Sequence, residues 1–288
     1  MRIGVDLGGH KIAAGVVEKG KVVNQAWEPT PRSRTPEETT EAIERLVNSL
    51  RVKSIKAVGV GLPGMLSLDR RSVVRLTNLP QWENFPMAEI LEKKLSLPVA
   101  LDNDGNCAAL GEMESGEAVG MKDFVMMTLG TGIGGAIVSG GRLIRGHRGL
   151  AGEIGHVALL HRTPCNCGGI GHGETLFSAD TFDLRCSEKG VPSVPELWDR
   201  RNDEEHRNFW NRSLEGLACV MISAIHLLDP EAIVLAGGLS NLPKLVQELK
   251  PFLDERLAIA FRPMPPLKIS SLGKDGPVIG AASLTSTP

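Results

Sequence analysis

Residues 2–17, RIGVDLGGHKIAAGVV, and residues 123–138, DFVMMTLGTGIGGAIV, share one pattern. In each, an apolar strand-like run ends in clustered glycines, and a second strand-like run follows at once. The first continues through the turn EKGK (18–21) into VVNQAW (22–27), a third strand. The two units stand about 120 residues apart and each heads one half of the chain. That period is far too long for a solenoid. Downstream of each unit, strands and helices alternate. Thr35, Pro36 and Glu38 mark a helix start with a capping box, and Ile43, Leu46, Val47 and Leu50 give it an apolar stripe. IKAVGVGL (55–62) reads as a buried strand ending at Pro63–Gly64; 86–96 is a helix, PVALDN (98–103) a strand and 105–117 a helix. In the second half, helical patterns cover 174–189, 203–229 and 242–257. EAIVLAGG (231–238) is a buried strand and VIGAASL (278–284) a short apolar helix. This alternation predicts an α/β protein of two similar halves around a cleft.

Composition narrows the function classes. The 288 residues suit two domains and 42% hydrophobic content supports a sizeable core. Tyr is absent and aromatics are 4%, so aliphatic side chains must carry most packing. The formal charge is −2, from 32 basic and 34 acidic residues, which favours neither nucleic acid nor an anionic membrane. No apolar run is long enough to span a bilayer, and Met1–Arg2 lead directly into Ile3–Leu7 without a signal peptide. A cytoplasmic protein is expected. The five cysteines do not form a disulfide framework in a chain of this length.

Glycines let a backbone turn tightly and aim several N–H groups at one anion. Asp6 precedes Gly8-Gly9; LGTGIGG (129–135) adds the hydroxyl of Thr131 between Gly130 and Gly132; Gly237-Gly238 opens a third turn before a helix. A carboxylate beside such a loop can hold Mg²⁺. Each turn alone would pass for a plain glycine hairpin. Three of them at strand ends argue for phosphate binding. Neither the Walker pattern nor G-x-G-x-x-G is present.

His156, Cys165, Cys167 and His172 lie within 17 residues of a glycine-rich, aperiodic stretch, 149–173. Two thiolates and two imidazoles suit a closed, structural Zn²⁺ site. Such an ion would hold in shape a segment with little apolar content. His161 is a spare candidate by spacing. In LDNDGN (101–106), Asp102 and Asp104 stand at a strand end, and strand alternation would turn one of them into the cleft. Asp104 adjoins the helix start, where it suits either a general base or an N-cap. Asp102 is expected to tolerate substitution by Asn. Glu153, His156 and Glu174 flank the metal loop and suit recognition of neighbouring sugar hydroxyls, though solvated loop glutamates would look the same.

Taken together these strings resemble the ROK (repressor, open reading frame, kinase) family, over essentially the whole chain. Asp6-Leu7-Gly8-Gly9-x-Lys11 is similar to its first phosphate loop, GLPG (61–64) with Thr77-Asn78-Leu79 to its sugar loop, and Asn103-Asp104-x-Asn106 to its catalytic motif. LGTGIGG is similar to its second phosphate loop and VLAGG (234–238) to its adenosine region. Glu153-x-x-His156 followed by Cys165-x-Cys167-Gly168-x-x-Gly171-x-x-Glu174 is close to the family signature with its zinc site. The resemblance implies an actin-like, ribonuclease-H-type ATPase fold. Its lobes would be 1–117, with 275–288 returning to it, and 118–274. It implies ATP with Mg²⁺ as phosphoryl donor, structural Zn²⁺, Asp104 as base, and sugar contacts from Gly64, Thr77, Asn78, Asn103, Glu153, His156 and Glu174. Asp6, Gly8, Gly9, His10, Lys11, Gly130, Thr131, Gly132, Gly237 and Gly238 would bind the nucleotide. A homodimer is also implied.

Two positions depart from the family pattern. His10 stands where Thr is usual beside the phosphates, which bears on nucleotide affinity and donor choice; His172 stands where a third cysteine is usual. The expected activity is ATP-dependent phosphorylation of a hexose, with glucose first. N-acetylmannosamine is the runner-up, before other N-acetylhexosamines and fructose. A sugar sensor without catalysis is the third reading. Family repressors carry an N-terminal helix-turn-helix, and a first phosphate loop starting at Asp6 leaves no room for one, so DNA binding is not expected.

Overall fold

In the computed structural model, residues 1–76 and 80–285 are described. The chain divides into two compact units: Met1–Met121 with Leu143–Ala151 and Ser271–Pro288, and Lys122–Arg142 with Gly152–Ser270.

The first unit opens with β1 (Arg2–Leu7), β2 (Lys11–Glu18) and β3 (Lys21–Pro29), an antiparallel meander closed by tight turns. Helix α1 (Pro36–Leu50) follows. Then come β4 (Val58–Leu62), the small hairpin β5 (Met65–Leu66) and β6 (Val73–Arg75), α2 (Met87–Leu95), β7 (Val99–Asn103) and α3 (Asp104–Ser115). The main sheet runs β3-β2-β1-β4-β7, with β4 parallel to β1 and β7 parallel to β4. Every residue of β4 is buried, as a parallel strand covered on both faces must be. Ile43, Leu46, Val47 and Leu50 of α1 lie in the same core cluster as Ile3, Val5 and Val60. Thr35 caps α1 by accepting the Glu38 N–H at 3.4 Å. The capping box does not close, however, because the Glu38 carboxylate accepts from the Ser33 hydroxyl at 2.6 Å instead.

The second unit repeats the scheme. Its sheet holds β8 (Phe124–Leu129), β9 (Ile133–Ser139), β10 (Arg142–Ile144), which begins in this unit, β11 (Ala232–Ala236) and β12 (Leu267–Ile269), in the order β10-β9-β8-β11-β12. β8 and β9 are antiparallel; β11 is parallel to both β8 and β12. Its helices are α4 (Ala179–Lys189), α5 (Val194–Asp199), α6 (Glu204–Leu228) and α7 (Leu245–Arg256). Most of the few aromatic residues gather here: Trp198, Phe177, Phe182 and Trp210 of α6 are buried in one core with Leu217 and Met221 of that helix. The sequence reading missed α5, β10 and β12, which are too short to show a period, and it ran the 174–189 helix five residues too far N-terminally.

Helix α8 (Gly276–Ser283) packs on β1, β4 and α3 of the first unit. Its approach requires missing side chains. A Cβ on Gly59 of β4 would stand 1.7 Å from the Ala281 carbonyl oxygen, and one on Gly280 would stand 1.6 Å from that of Cys107. No helix among the described residues is long and apolar enough to cross a membrane.

Candidate active site

The turn between β1 and β2 is held by its carbonyls. Thr30 donates its hydroxyl to the Gly8 oxygen at 2.7 Å and its N–H to the His10 oxygen at 3.0 Å, and Arg34 reaches the Gly9 oxygen at 3.2 Å. The N–H groups of Gly9 and His10 find no acceptor among the described residues. A Cβ on Gly9 would meet no atom within 4 Å, and its φ is not in the left-handed region. Neither packing nor backbone geometry requires that glycine, and without a side chain the turn is open to close approach. The same holds for Gly130 and Gly238. A pocket of about 180 Å³ opens beside the first turn, where Gly8 and Gly9 meet Pro63, Gly64, Arg34 and Trp82. Thr77 and Asn78 lie outside the described residues.

Strand β7 ends at Asn103, and Asp104 is the first helical residue. Strand alternation therefore does not govern this pair. Asn103 is the N-cap, its Oδ1 accepting from Gly105 N at 2.8 Å and Asn106 N at 3.3 Å. With the cap supplied by Asn103, the Asp104 carboxylate stands exposed on the first turn, where the positive helix end favours an anion. Asp6, at the end of β1, feels it. Burial first, and then the Asp104 charge, raise the Asp6 pKa from 3.8 to about 6, with Lys11 opposing. Asp102 is a different kind of group. It is buried and paired with Arg70 at 3.2 Å and Arg145 at 2.7 Å. Asp102 is thus a buried carboxylate held by two part-exposed arginines rather than a free strand-end group, so Asp102→Asn should cost stability even where it spares turnover.

The raised Asp6 pKa gives a pH prediction for the ligand-free protein. Because the folded pKa exceeds the unfolded one, this group contributes no penalty at low pH. Stability is lost as pH rises from about 4 through 6, reaching roughly 3 kcal/mol at 1.36 kcal/mol per pKa unit. Asp6→Asn should therefore match the parent in thermal unfolding near pH 4 and exceed it near pH 8. Parallel curves at all pH values would contradict this.

In the second unit, Gly130, Thr131 and Gly132 link β8 to β9. Gly237, with φ +89°, backs this turn; a Cβ there would stand 2.3 Å from the Leu129 oxygen. Glu174 lies over the turn's other side, its Oε2 2.5 Å from where a Cβ on Gly132 would be. The Glu174 Oε1 accepts from the Cys165 thiol at 2.8 Å and lies 3.4 Å from His156 Nε2, while His156 Nδ1 is 3.2 Å from Glu153. Hydrogen bonds from Glu153 and then Glu174 push His156 up to about 10. Burial pushes Cys165 up to about 12, reinforced by Glu174. Burial opposes ionisation of Glu174, but the bonds from His156 and Cys165 hold it below its usual range.

One ligand atom each from His156, Cys165, Cys167 and His172 lie within 4.8 Å of one another. Cys167 Sγ and His172 Nδ1 are 3.2 Å apart. A tetrahedron with Zn–N about 2.0–2.1 Å and Zn–S about 2.3 Å has edges of roughly 3.3–3.8 Å, so the four atoms need draw together by only about 1 Å to hold the ion. The residues fit the ion, and His161 is not in the group.

The ROK family profile matches residues 2–287. The chain belongs to the ROK family. It is 33% identical to a glucokinase of Streptomyces coelicolor over 319 aligned positions, covering all of this chain and 98% of that protein. It is 31% identical to an N-acetyl-D-glucosamine kinase of Pectobacterium carotovorum, covering 99% and 98%. It superimposes with a TM-score of 0.83, at 29% identity and 98% coverage of both chains, on the crystal structure of a Streptomyces griseus ROK glucokinase in complex with glucose and AMPPNP. The fold is the actin-like ATPase fold that the motifs implied. Within this ROK protein the sequence reading missed Arg145, Arg70 and the contact of Glu174 with the second glycine turn. Nothing in the local pattern around those residues signals their partners.

Proposed function

We propose that this protein transfers the γ-phosphoryl group of ATP to a hexose hydroxyl, with glucose giving glucose 6-phosphate as the first assignment. The observation that carries the reading is the juxtaposition of Asp6 and Asp104: Asp6 pairs in register with Gly61, and a Cβ on Gly61 would stand 3.8 Å from the Asp104 Cα. Asp104 accepts the hydroxyl proton during in-line attack, and the product side gains a phosphate ester, ADP and that proton. Asp6 and the N–H groups of Gly9 and His10, which find no acceptor among the described residues, bind phosphate; the Gly130–Gly132 and Gly237–Gly238 turns bind the nucleotide. Mg²⁺, held through Asp6, would neutralise phosphate charge and offset the burial, and after it the Asp104 repulsion, that raise the Asp6 pKa. Glu153 and Glu174 bind sugar hydroxyls. The Oδ1 of Asn103 is committed to the α3 cap, so its contact with sugar runs through the amide nitrogen. His156 has two ring nitrogens, so one serves zinc and the other faces the sugar or Glu153. On this reading 1–117 with 275–288 forms one functional lobe and 118–274 the other, in a cytoplasmic enzyme.

The N-acetyl-D-glucosamine kinases at 31% identity support N-acetylhexosamine phosphorylation as the second reading. A panel of hexoses and N-acetylhexosamines in a coupled ADP-release assay tests both. Turnover on none of them would overturn the kinase assignment.

His10 is exposed at the tip of the first turn. If it borders the phosphates, His10→Thr changes the KM for ATP several-fold and that for sugar little. An unchanged KM for ATP would make the departure silent, and a preference for polyphosphate in the parent would overturn ATP as donor.

A further inference from the structure

The proposed base is built onto a buried carboxylate, Asp102, whose arginine partners Arg70 and Arg145 lie outside the quoted motifs. Asp102 sits two residues before Asp104, at the last turn of β7, with 2% of its surface exposed. Its Oδ1 accepts from the Asn103 N–H at 2.9 Å and the Asn106 side-chain amide at 2.8 Å. Its Oδ2 accepts from Arg145 Nη2 at 2.7 Å and Nε at 3.2 Å, and from Arg70 Nη1 at 3.2 Å. Five donors converge on one carboxylate. Two of them belong to the α3 entry, which sets the direction of the Asp104 side chain. The Asn103 cap and the Asn106 amide are thus oriented from below by Asp102.

Arg145 comes from elsewhere in the chain. It lies in Leu143–Ala151, a segment that leaves the second unit, packs with the first and returns at Gly152. The segment closes on itself through the Ala151 N–H donating to the Arg145 oxygen at 3.0 Å. Glu153 follows two residues later. Arg145 holds Asp102 through two guanidinium nitrogens, a fork geometry that lysine cannot reproduce.

We propose that Asp102 and Arg145 form a positioning pair for phosphoryl transfer. Asp102 fixes the α3 entry that carries Asp104. Arg145 pins to the same carboxylate the segment that delivers Glu153. Arg70 balances the remaining charge from the turn after β5. The proposal rests on the kinase reading of Asp104, and its test separates the two.

The experiment takes the parent, Asp102→Asn, Arg145→Gln, Arg145→Lys and the double variant Asp102→Asn/Arg145→Gln, all as full-length protein. Each is assayed for kcat and KM on the best hexose found in the panel, and for thermal unfolding. Asp102→Asn should lower kcat about 10–100-fold, the range typical of displacing a residue that orients a reacting group. Arg145→Gln should lower kcat and also raise the KM for sugar, with the KM for ATP changed less. Arg145→Lys should restore stability more than kcat, because charge returns without the fork. The double variant should lose much less than the product of the single losses, as members of one network do. Should Asp102→Asn fail to fold, the part-exposed Arg145 variants still decide the matter. Lowered thermal stability with unchanged kcat and KM in Arg145→Gln would overturn the proposal and leave a purely structural ion pair. Fully multiplicative losses would overturn the coupling. Inactivity of the parent on every sugar would instead strike the kinase reading.

Discussion

Asp104→Asn should lower turnover by roughly 10²–10⁴-fold, the usual contribution of general acid–base catalysis. The substitution keeps the size of the side chain and its place on the first turn of α3. The cap survives, because Asn103 supplies it. What disappears is the proton acceptor. Sugar affinity should change far less, since on the proposed reading Glu153, Glu174 and the Asn103 amide would still bind the ring. Removing the charge also relieves Asp6, whose pKa is raised in part by Asp104, so the variant should be no less stable than the parent at neutral pH. The measurement is kcat and KM on the best sugar, with sugar affinity read separately by calorimetry. Near-normal turnover in Asp104→Asn, in a parent that phosphorylates hexoses, would remove Asp104 from the role of base.

The second large effect concerns metal. Purified protein should carry one Zn²⁺ per chain, and chelation should lower its thermal stability. Cys165→Ala should lose the metal and raise the KM for sugar about 10–100-fold, the range seen when groups orienting a metal site are removed. The coupling has a structural basis: Cys165 and His156 both contact Glu174, and His156 contacts Glu153. Loading should also release protons. In the metal-free cluster His156 is held as a cation up to about 10 and the Cys165 thiol up to about 12. Zinc takes neutral imidazole and thiolate, so its affinity should climb as pH rises and fall on acidification. Titration of metal-free protein in weakly buffered indicator solution reads this directly. Protein free of zinc, with stability indifferent to chelator, would refute the site. A cysteine variant that keeps its metal and its KM would refute the coupling.

Much of this molecule was legible before any tertiary contact was known. The strand–glycine–strand units were readable because hydrophobic alternation and glycine turns depend on neighbours in the chain. So were the α1 stripe, the buried β4, and the metal-ligand spacing of residues 156–172. The glycines that no packing explains, Gly9, Gly130 and Gly238, are the same ones the motifs singled out. Local reading failed where a side chain had several partners within reach. Glu38 could close a capping box or turn to Ser33, and it turned to Ser33. Asn103 and Asp104 could each cap α3, and the end of β7 at Asn103 decided between them. Asp102 and Asp104 look interchangeable in LDNDGN. One is buried against Arg70 and Arg145, 32 and 43 residues away, and the other is exposed on a helix turn. Likewise Glu174 reads as one loop carboxylate among others until the fold lays it over Gly132. The sequence by itself determined the longer strands and helices, the two glycine-headed halves and the His/Cys set that gathers as a candidate metal site, because spacing and turn chemistry act over a few residues. Tertiary structure alone decided which carboxylate is buried against two arginines and which is exposed on the first helical turn. That choice depends on the charges and the desolvation that distant segments bring to each oxygen.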